Sequence, residues 1–337
     1  LLTALLIVVL ATHLLAANLA SAGPLLAAWI DDRAGRRVDA PACDLARRLM
    51  RSSMIALGAT IALGGAVVGL VAVVSPVPLA RAAALIPISR YWFGVAELLF
   101  YFVCLVAYEA VARRGAFPRN RGRRAMLWLL MTLAVTDVVY HFTPLFAIIG
   151  VYSTRPDSWN GEVRFIAGMF DAEVMAIVVH FLLASLAVSG LAVAWLATNP
   201  KDTASLNINS RKSAVFGARV ALAATLAQIG SGIWLTAAVP TSARDRMMGD
   251  DLLVTVLFAL ALVAAFALMH RLAALAMDEI NGRSVRIAAA WLYAVILLMT
   301  AAHQLVRLAD YETQGRNKKA APRVSVGTAK DIRLVQA

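Results

Sequence analysis

The sequence predicts an all-α membrane protein of eight transmembrane helices, and three observations carry that expectation. Hydrophobic residues are 61% of the 337 and charged residues only 15%, far from the balance of a water-soluble domain. The apolar residues gather in eight runs, each long enough at about 1.5 Å per residue to cross a hydrocarbon core roughly 30 Å thick. The Lys and Arg residues lie at or beyond the ends of those runs. The net charge of +12 is therefore expected to face lipid headgroups, and no nucleic-acid partner is implied.

The runs cover about 1–30, 52–76, 91–112, 125–150, 166–198, 214–239, 252–270 and 286–306. Leu1 opens directly on an apolar run with His13 in its middle, so the first run reads as a span and not as a cleavable leader. Breakers or charges separate the runs: Pro76 and Pro78, the arginine-rich 113–124 stretch, and Asn199-Pro200. From about Ala309 a polar tail carries Asn317, Lys318, Lys319 and Pro322. Nineteen Lys and Arg fall after the odd-numbered spans and six after spans two, four and six. By the excess of positive charge on the cytoplasmic side, both termini are expected on the outer face of the cytoplasmic (inner) membrane. Cys43 and Cys104 are too far apart for a metal or redox motif, and Cys104 reads as a packed residue.

The chain contains an internal echo. His13-Leu-Leu-Ala-Ala-Asn-Leu-Ala-Ser-Ala-Gly23 in span one parallels His180-Phe-Leu-Leu-Ala-Ser-Leu-Ala-Val-Ser-Gly190 in span five. Spans two and six match as well, Ala56, Ala59-Thr60, Ala62 and Gly65 against Ala221, Ala224-Thr225, Ala227 and Gly230. Both halves begin on one side, so this is a parallel repeat about an axis along the membrane normal. It predicts two four-helix bundles, 1–151 and 152–308, followed by the tail 309–337.

Ionisable groups inside a bilayer are costly and point to function. His270 precedes Arg271 and reads as interfacial, but His13, His141, His180 and His303 lie deep in their spans. His141 and His303 each stand 17 residues from a basic helix end, roughly 25 Å by helical rise. Each four-helix unit thus has a histidine on its first helix and another on its last. A neutral imidazole ligates iron, and bundle cores are common cofactor sites. Ala16, Ala17, Ala20, Ala184 and Ser185 would let a flat macrocycle approach the backbone. The expectation is one or two b-type haems, held in bis-histidine pairs, His13 with His141 and His180 with His303. Glu97 and Asp137 accompany them as proton-path residues or as acceptors that orient an imidazole; Asp137 is four residues before His141, on the same helix face. Glu109 is expected to pair with Arg113, and Asp171 and Glu173 to be solvated at the start of span five.

At His13, Glu97 and His180 the chain resembles subunit I of the cytochrome bd-type quinol oxidases, over about residues 1–270. His13 with Asp31 at the helix end, Glu97 and Glu109 before Arg113-Arg114, His180 with Ala184-Ser185, and Gln228-Ile-Gly-Ser-Gly232 each match a motif of that family. The resemblance implies a haem b electron-transfer subunit of a respiratory complex. It would work with other membrane subunits, a quinone and an outer-face cytochrome c, with Arg90, Arg164 or Arg244 near haem propionates. The chain departs from the family in several places. It lacks the Gly-Arg-Gln-Pro-Trp motif, reduces the quinol-binding loop to roughly 239–251, and in span seven aligns no methionine with the family's second haem ligand, Leu253 or Val254 standing there. Ser89 stands near where the family has another acid upstream of Glu97. These departures argue against oxygen reduction and against quinol oxidation by the usual loop. A proton-conducting or transport subunit using Asp137, His141 and Glu97, or a cofactor-free structural subunit, are the competing expectations.

Overall fold

The computed structural model describes residues 1–37, 39–76, 80, 87–113, 121–154, 165–198 and 208–320. Eight segments of these are long and apolar enough to cross a membrane. They are built from helices α1 (Leu2–Arg37), α2 (Ala40–Val74), α3 (Ile88–Arg113), α4 (Arg121–Asp137) continued by α5 (Thr143–Thr154), α7 (Ala172–Ala197), α8 (Ile208–Ala238), α10 (Leu252–Ala276) and α11 (Gly282–Ala320). Two short helices precede α7 and α10: α6 (Phe165–Met169) and α9 (Thr241–Asp245). The protein is therefore an all-α, multi-pass membrane protein, as the hydropathy implies.

Most helices outrun the apolar runs that predict them, because the flanking polar turns stay helical and pair with one another. Asp32 of α1 accepts from Arg124 Nε of α4 at 2.8 Å and from Arg36 Nε at 3.2 Å. Tyr108 of α3 donates to Asp31 Oδ2 at 3.0 Å. The expected Glu109–Arg113 pair is present at 2.7 Å. Arg123 donates to the carbonyls of Val111 and Ala112 at 3.1 and 2.8 Å, and Arg219 to Ala276 O at 3.1 Å. These are the orphan carbonyls at the ends of α3 and α10, where a cation is favoured. The arginine-rich end of the bundle is thus stapled by charge as well as by apolar packing. Cys43 and Cys104 are both buried.

Two spans depart from regular helix. The fourth bends through a π turn at Val138–Phe142, closed by Thr143 N donating to Val138 O. Pro144 supplies the reason: it has no N–H for the carbonyl of Tyr140 and its ring crowds that oxygen, so the ladder widens by one residue. In the fifth span, Asp171 separates α6 from α7 and caps α7, accepting from Glu173 N at 2.9 Å and Val174 N at 3.3 Å. Asp171 is therefore a cap, and Glu173 is buried at 7% exposure, where solvation was expected. The last helix also runs on to Ala320, past the predicted start of the tail; residues 321–337 lie outside the described residues.

A single apolar cluster runs through α1, α2, α3, α4, α7, α8, α10 and α11, so the packing does not divide into two separate bundles. α5 leaves that cluster and packs Ala147, Ile148, Val151 and Tyr152 against Val174 of α7. At the same end α11 reaches α1, where Thr12 Oγ1 lies 3.1 Å from Tyr293 OH. The backbones of α7 and α8 approach most closely at two glycines. A Cβ on Gly190 would lie 2.7 Å from Gly217 O and Ala221 N, and one on Gly217 would lie 2.5 Å from Gly190 O. Gly217→Val is expected to force the pair apart, at about 1–3 kcal/mol or more for overpacking, and to lower the thermal midpoint in detergent. An unchanged midpoint would mean that α7 and α8 can separate here without loss.

Candidate functional site

The four candidate histidines all lie beyond the large apolar cluster, toward the end of the bundle opposite the arginines. At this level the apolar packing splits into small clusters on α5–α7 and on α10–α11, and polar side chains occupy the space between helices.

His13, half-buried on α1, turns to α2. Its Nδ1 lies 3.0 Å from the carbonyl oxygen of Thr60. A carbonyl only accepts, so Nδ1 carries the proton and Nε2 keeps its lone pair. The ring rests where α2 has no side chain: a Cβ on Gly64 would stand 3.1 Å from His13 Cε1.

His180 on α7 is also held through Nδ1 by the following helix, α8, but by a side-chain hydroxyl and not a backbone carbonyl. Its Nδ1 is 3.0 Å from Ser231 Oγ. The Ser231 hydroxyl already donates to Gln228 O at 3.3 Å, so its oxygen accepts from Nδ1–H and the same tautomer results. Gly232 faces the ring, with a Cβ position 3.8 Å from Cε1. Gln228 Nε2 stands 3.5 Å from His180 Nε2, at the outer limit of a hydrogen bond, and would swing aside for any ligand there. Every polar contact of His180 thus falls in the Gln228–Gly232 stretch. Ser231 follows His180 by 51 residues, as Gly64 follows His13.

Between the two histidines the helices meet at equivalent positions. Ser185 Oγ of α7 donates to Asn18 Oδ1 of α1 at 2.9 Å, and these residues are 167 apart, the separation of His180 from His13. Both are buried, Asn18 at 4% and Ser185 at 0% exposure.

His141, in the π turn, faces α3 instead of α1. Its Nδ1 is in direct contact with Glu97 Oε1, and Asp137 completes a group whose ligand atoms lie within 4.8 Å of one another. Phe93 meets the imidazole edge-on at 5.5 Å and Tyr140 lies tilted at 4.9 Å. His13 and His141 are thus turned to different helices. His303 is exposed on α11, while its neighbours Ala302 and Val306 pack against Val239, Ala243 and Val254. One turn on, Arg307 donates to Gly150 O at 3.2 Å and Ser153 Oγ at 3.1 Å. Of the arginines expected near propionates, Arg164 lies outside the described residues. Thr60 stands in the sequence only as part of the repeat, Ser231 and Gly232 only as parts of a motif, and Gly64 in neither. A backbone carbonyl has no sequence signal, but the Gly64-Gly65 and Ser231-Gly232 doublets do.

The residues fit a haem at His13 and at His180. Each imidazole is held through Nδ1 by a protein oxygen, the arrangement that orients a metal-ligating histidine and raises its basicity, and each ring lies on a small-residue surface.

No protein-family model matches the chain, and no curated protein matches it in sequence. In three dimensions it superposes on the structure of bd oxidase from Geobacillus thermodenitrificans with a TM-score of 0.71, at 17% identity, over 92% of this chain and 86% of that one. The chain has a bd-oxidase-type fold. At that identity the likeness is one of architecture, and it adds nothing on individual side chains.

Proposed function

We propose that this chain is a haem b-binding, electron-transferring subunit of a membrane respiratory complex, with His13 and His180 as haem ligands through Nε2. The observation that carries the proposal is the matched anchoring of two intramembrane imidazoles, each with Nδ1 engaged and a glycine against the ring, in a bd-oxidase-type fold. The haems supply one-electron chemistry; the protein supplies ligation, orientation and burial. His303 is proposed as the second ligand opposite His180, because α11 packs on α7. The pairing of His13 with His141 gives way, since His141 is turned into the Glu97 and Asp137 carboxylates. Other membrane subunits, a quinone and a cytochrome c on the outer face are the proposed partners. Reduced-minus-oxidised absorption spectra of the purified protein test the reading: a b-type α-band supports it, and a colourless protein sinks it.

The internal repeat belongs to the same proposal. Asn18 and Ser185 touch each other, as equivalent residues beside a two-fold axis do. Gly23 and Gly190 each sit against the following helix, Gly23 with a Cβ position 2.1 Å from Ser53 Oγ. A constant separation of 167 relates these pairs and relates Gly64-Gly65 to Ser231-Gly232. The alignment of Gly65 with Gly230 is two residues out of that register.

The orientation follows from the arginine asymmetry and is proposed as outer for the amino terminus. Single cysteines at Arg121 and at Met248, in a background without Cys43 and Cys104, are expected to label from opposite sides. Impermeant reagent should reach position 248 from outside and position 121 only after permeabilisation; the reverse pattern inverts the topology.

A further inference from the structure

We infer that Glu97, Asp137 and His141 form a binding site for one divalent first-row transition ion, of the zinc or manganese type, separate from the haem ligands His13 and His180. Three features converge. The three side chains offer one imidazole nitrogen and two carboxylate oxygens, all within 4.8 Å of one another. Ligand atoms around a tetrahedral ion with bonds of about 2.0–2.1 Å stand roughly 3.4 Å apart, so small rotamer changes would close the set around a cation. Glu97 and Asp137 are 6% and 9% exposed, and Glu97 Oε2 and Asp137 Oδ2 have no hydrogen-bond partner. Buried carboxylates are held by pairing or by metal coordination, and each of these two residues offers one oxygen to the group that includes the His141 imidazole. Finally, an ion bound here would be met by two carboxylates and a neutral imidazole, a donor set of charge −2 that one dication neutralises.

The chain's local chemistry builds this arrangement on purpose-fit elements. Pro144 forces the π turn that carries His141, and π turns recur at functional sites. Phe93 and Tyr140 fix the ring from two directions. The donor set of one nitrogen and two hard oxygens suits zinc, manganese or ferrous iron and disfavours copper(I), which selects sulfur. An ion here leaves a coordination position open for water or an exogenous ligand, because the protein supplies three donors.

The test uses the full-length protein in detergent, stripped with a chelator and dialysed against zinc. Elemental analysis is expected to give one zinc per chain, and zinc-edge X-ray absorption to show imidazole scattering that disappears in His141→Ala. Glu97→Gln and Asp137→Asn keep shape while removing charge, and each should weaken binding at least about tenfold, with the haem spectrum and thermal midpoint unchanged. Absence of stoichiometric zinc in the wild-type protein would overturn the site. Equal affinity in Glu97→Gln and Asp137→Asn would overturn it too. Loss of haem from His141→Ala, with no zinc bound by the parent, would give His141 to the haem and end the proposal.

Discussion

Replacing His180 by alanine is expected to remove one haem completely, seen as the loss of its reduced α-band and of about half the haem by pyridine haemochrome assay, with the fold retained. Retention of the fold follows from what holds α7 in place. Its buried face, from Ala187 to Ala197, packs at the arginine-rich end, and the Gly190–Gly217 crossing lies ten residues from His180. The imidazole itself is tied to α8 by one hydrogen bond to Ser231, worth about 0.5–1.5 kcal/mol net. The proposed haem, by contrast, would depend on an iron–nitrogen bond that alanine cannot make. Ser231→Ala separates ligation from anchoring: the ring stays but its tautomer is no longer fixed. Loss of such an orienting partner typically costs 10–100-fold in metal affinity, so Ser231→Ala should bind haem more weakly and keep its α-band at high haem concentration. His13→Ala should remove the other half of the haem. If the spectrum of His180→Ala matches the parent, His180 is a packing residue and the observed serine bond is its whole role.

The parts legible in the sequence are those that a single residue's chemistry or a run of residues decides. Hydropathy is a property of each residue summed along a window, so eight spans could be counted without knowing what packs on what. His13 and His180 stood out because an imidazole in the middle of a span is expensive and because the same neighbours follow both. The fourth helix was harder. Thr143-Pro144 is visible in the sequence, but whether a proline kinks, breaks or widens a helix depends on what can absorb the lost bond, and here the π turn does. That turn, with the rotation of α3, sends His141 to Glu97 and away from α1. Helix rotation is set by packing across the bundle, which periodicity in uniformly apolar spans encodes weakly. The register between spans two and six is weakly encoded for a related reason: alanine and leucine matches recur every few residues in such spans. Gly64 and Gly232, which meet the two imidazoles, lie in the Gly64-Gly65 and Ser231-Gly232 doublets that the 167-residue separation relates.

Carbon monoxide binding is expected to double, from one to two molecules per protein, when His303 is replaced by alanine. The expectation starts from the two imidazoles and what can approach iron from the far side. His141, the partner that the sequence suggests for His13, is turned to Glu97 and Asp137. On the proposed reading, a haem held by His13 would have one protein ligand, and it would be high-spin when ferric and open to an exogenous ligand. At His180 the proposed opposite ligand is His303, placed on α11 by the packing of Ala302 and Val306 and by the Arg307 bonds to Gly150 and Ser153. Two axial imidazoles make a low-spin, closed centre. Removing His303 leaves His180 ligating alone, so one low-spin ferric resonance should convert to high-spin while the haem content stays the same. Haem retention distinguishes this outcome from that of His180→Ala, where the group itself is lost. Arg307→Gln serves as a control on α11: it breaks the contacts to α5 without touching an imidazole and should leave the carbon monoxide stoichiometry at one. A low-spin signal that survives in His303→Ala would remove His303 from the site. Two low-spin signals in the parent, with no reaction toward carbon monoxide, would restore a second ligand to His13 and return His141 to the haem.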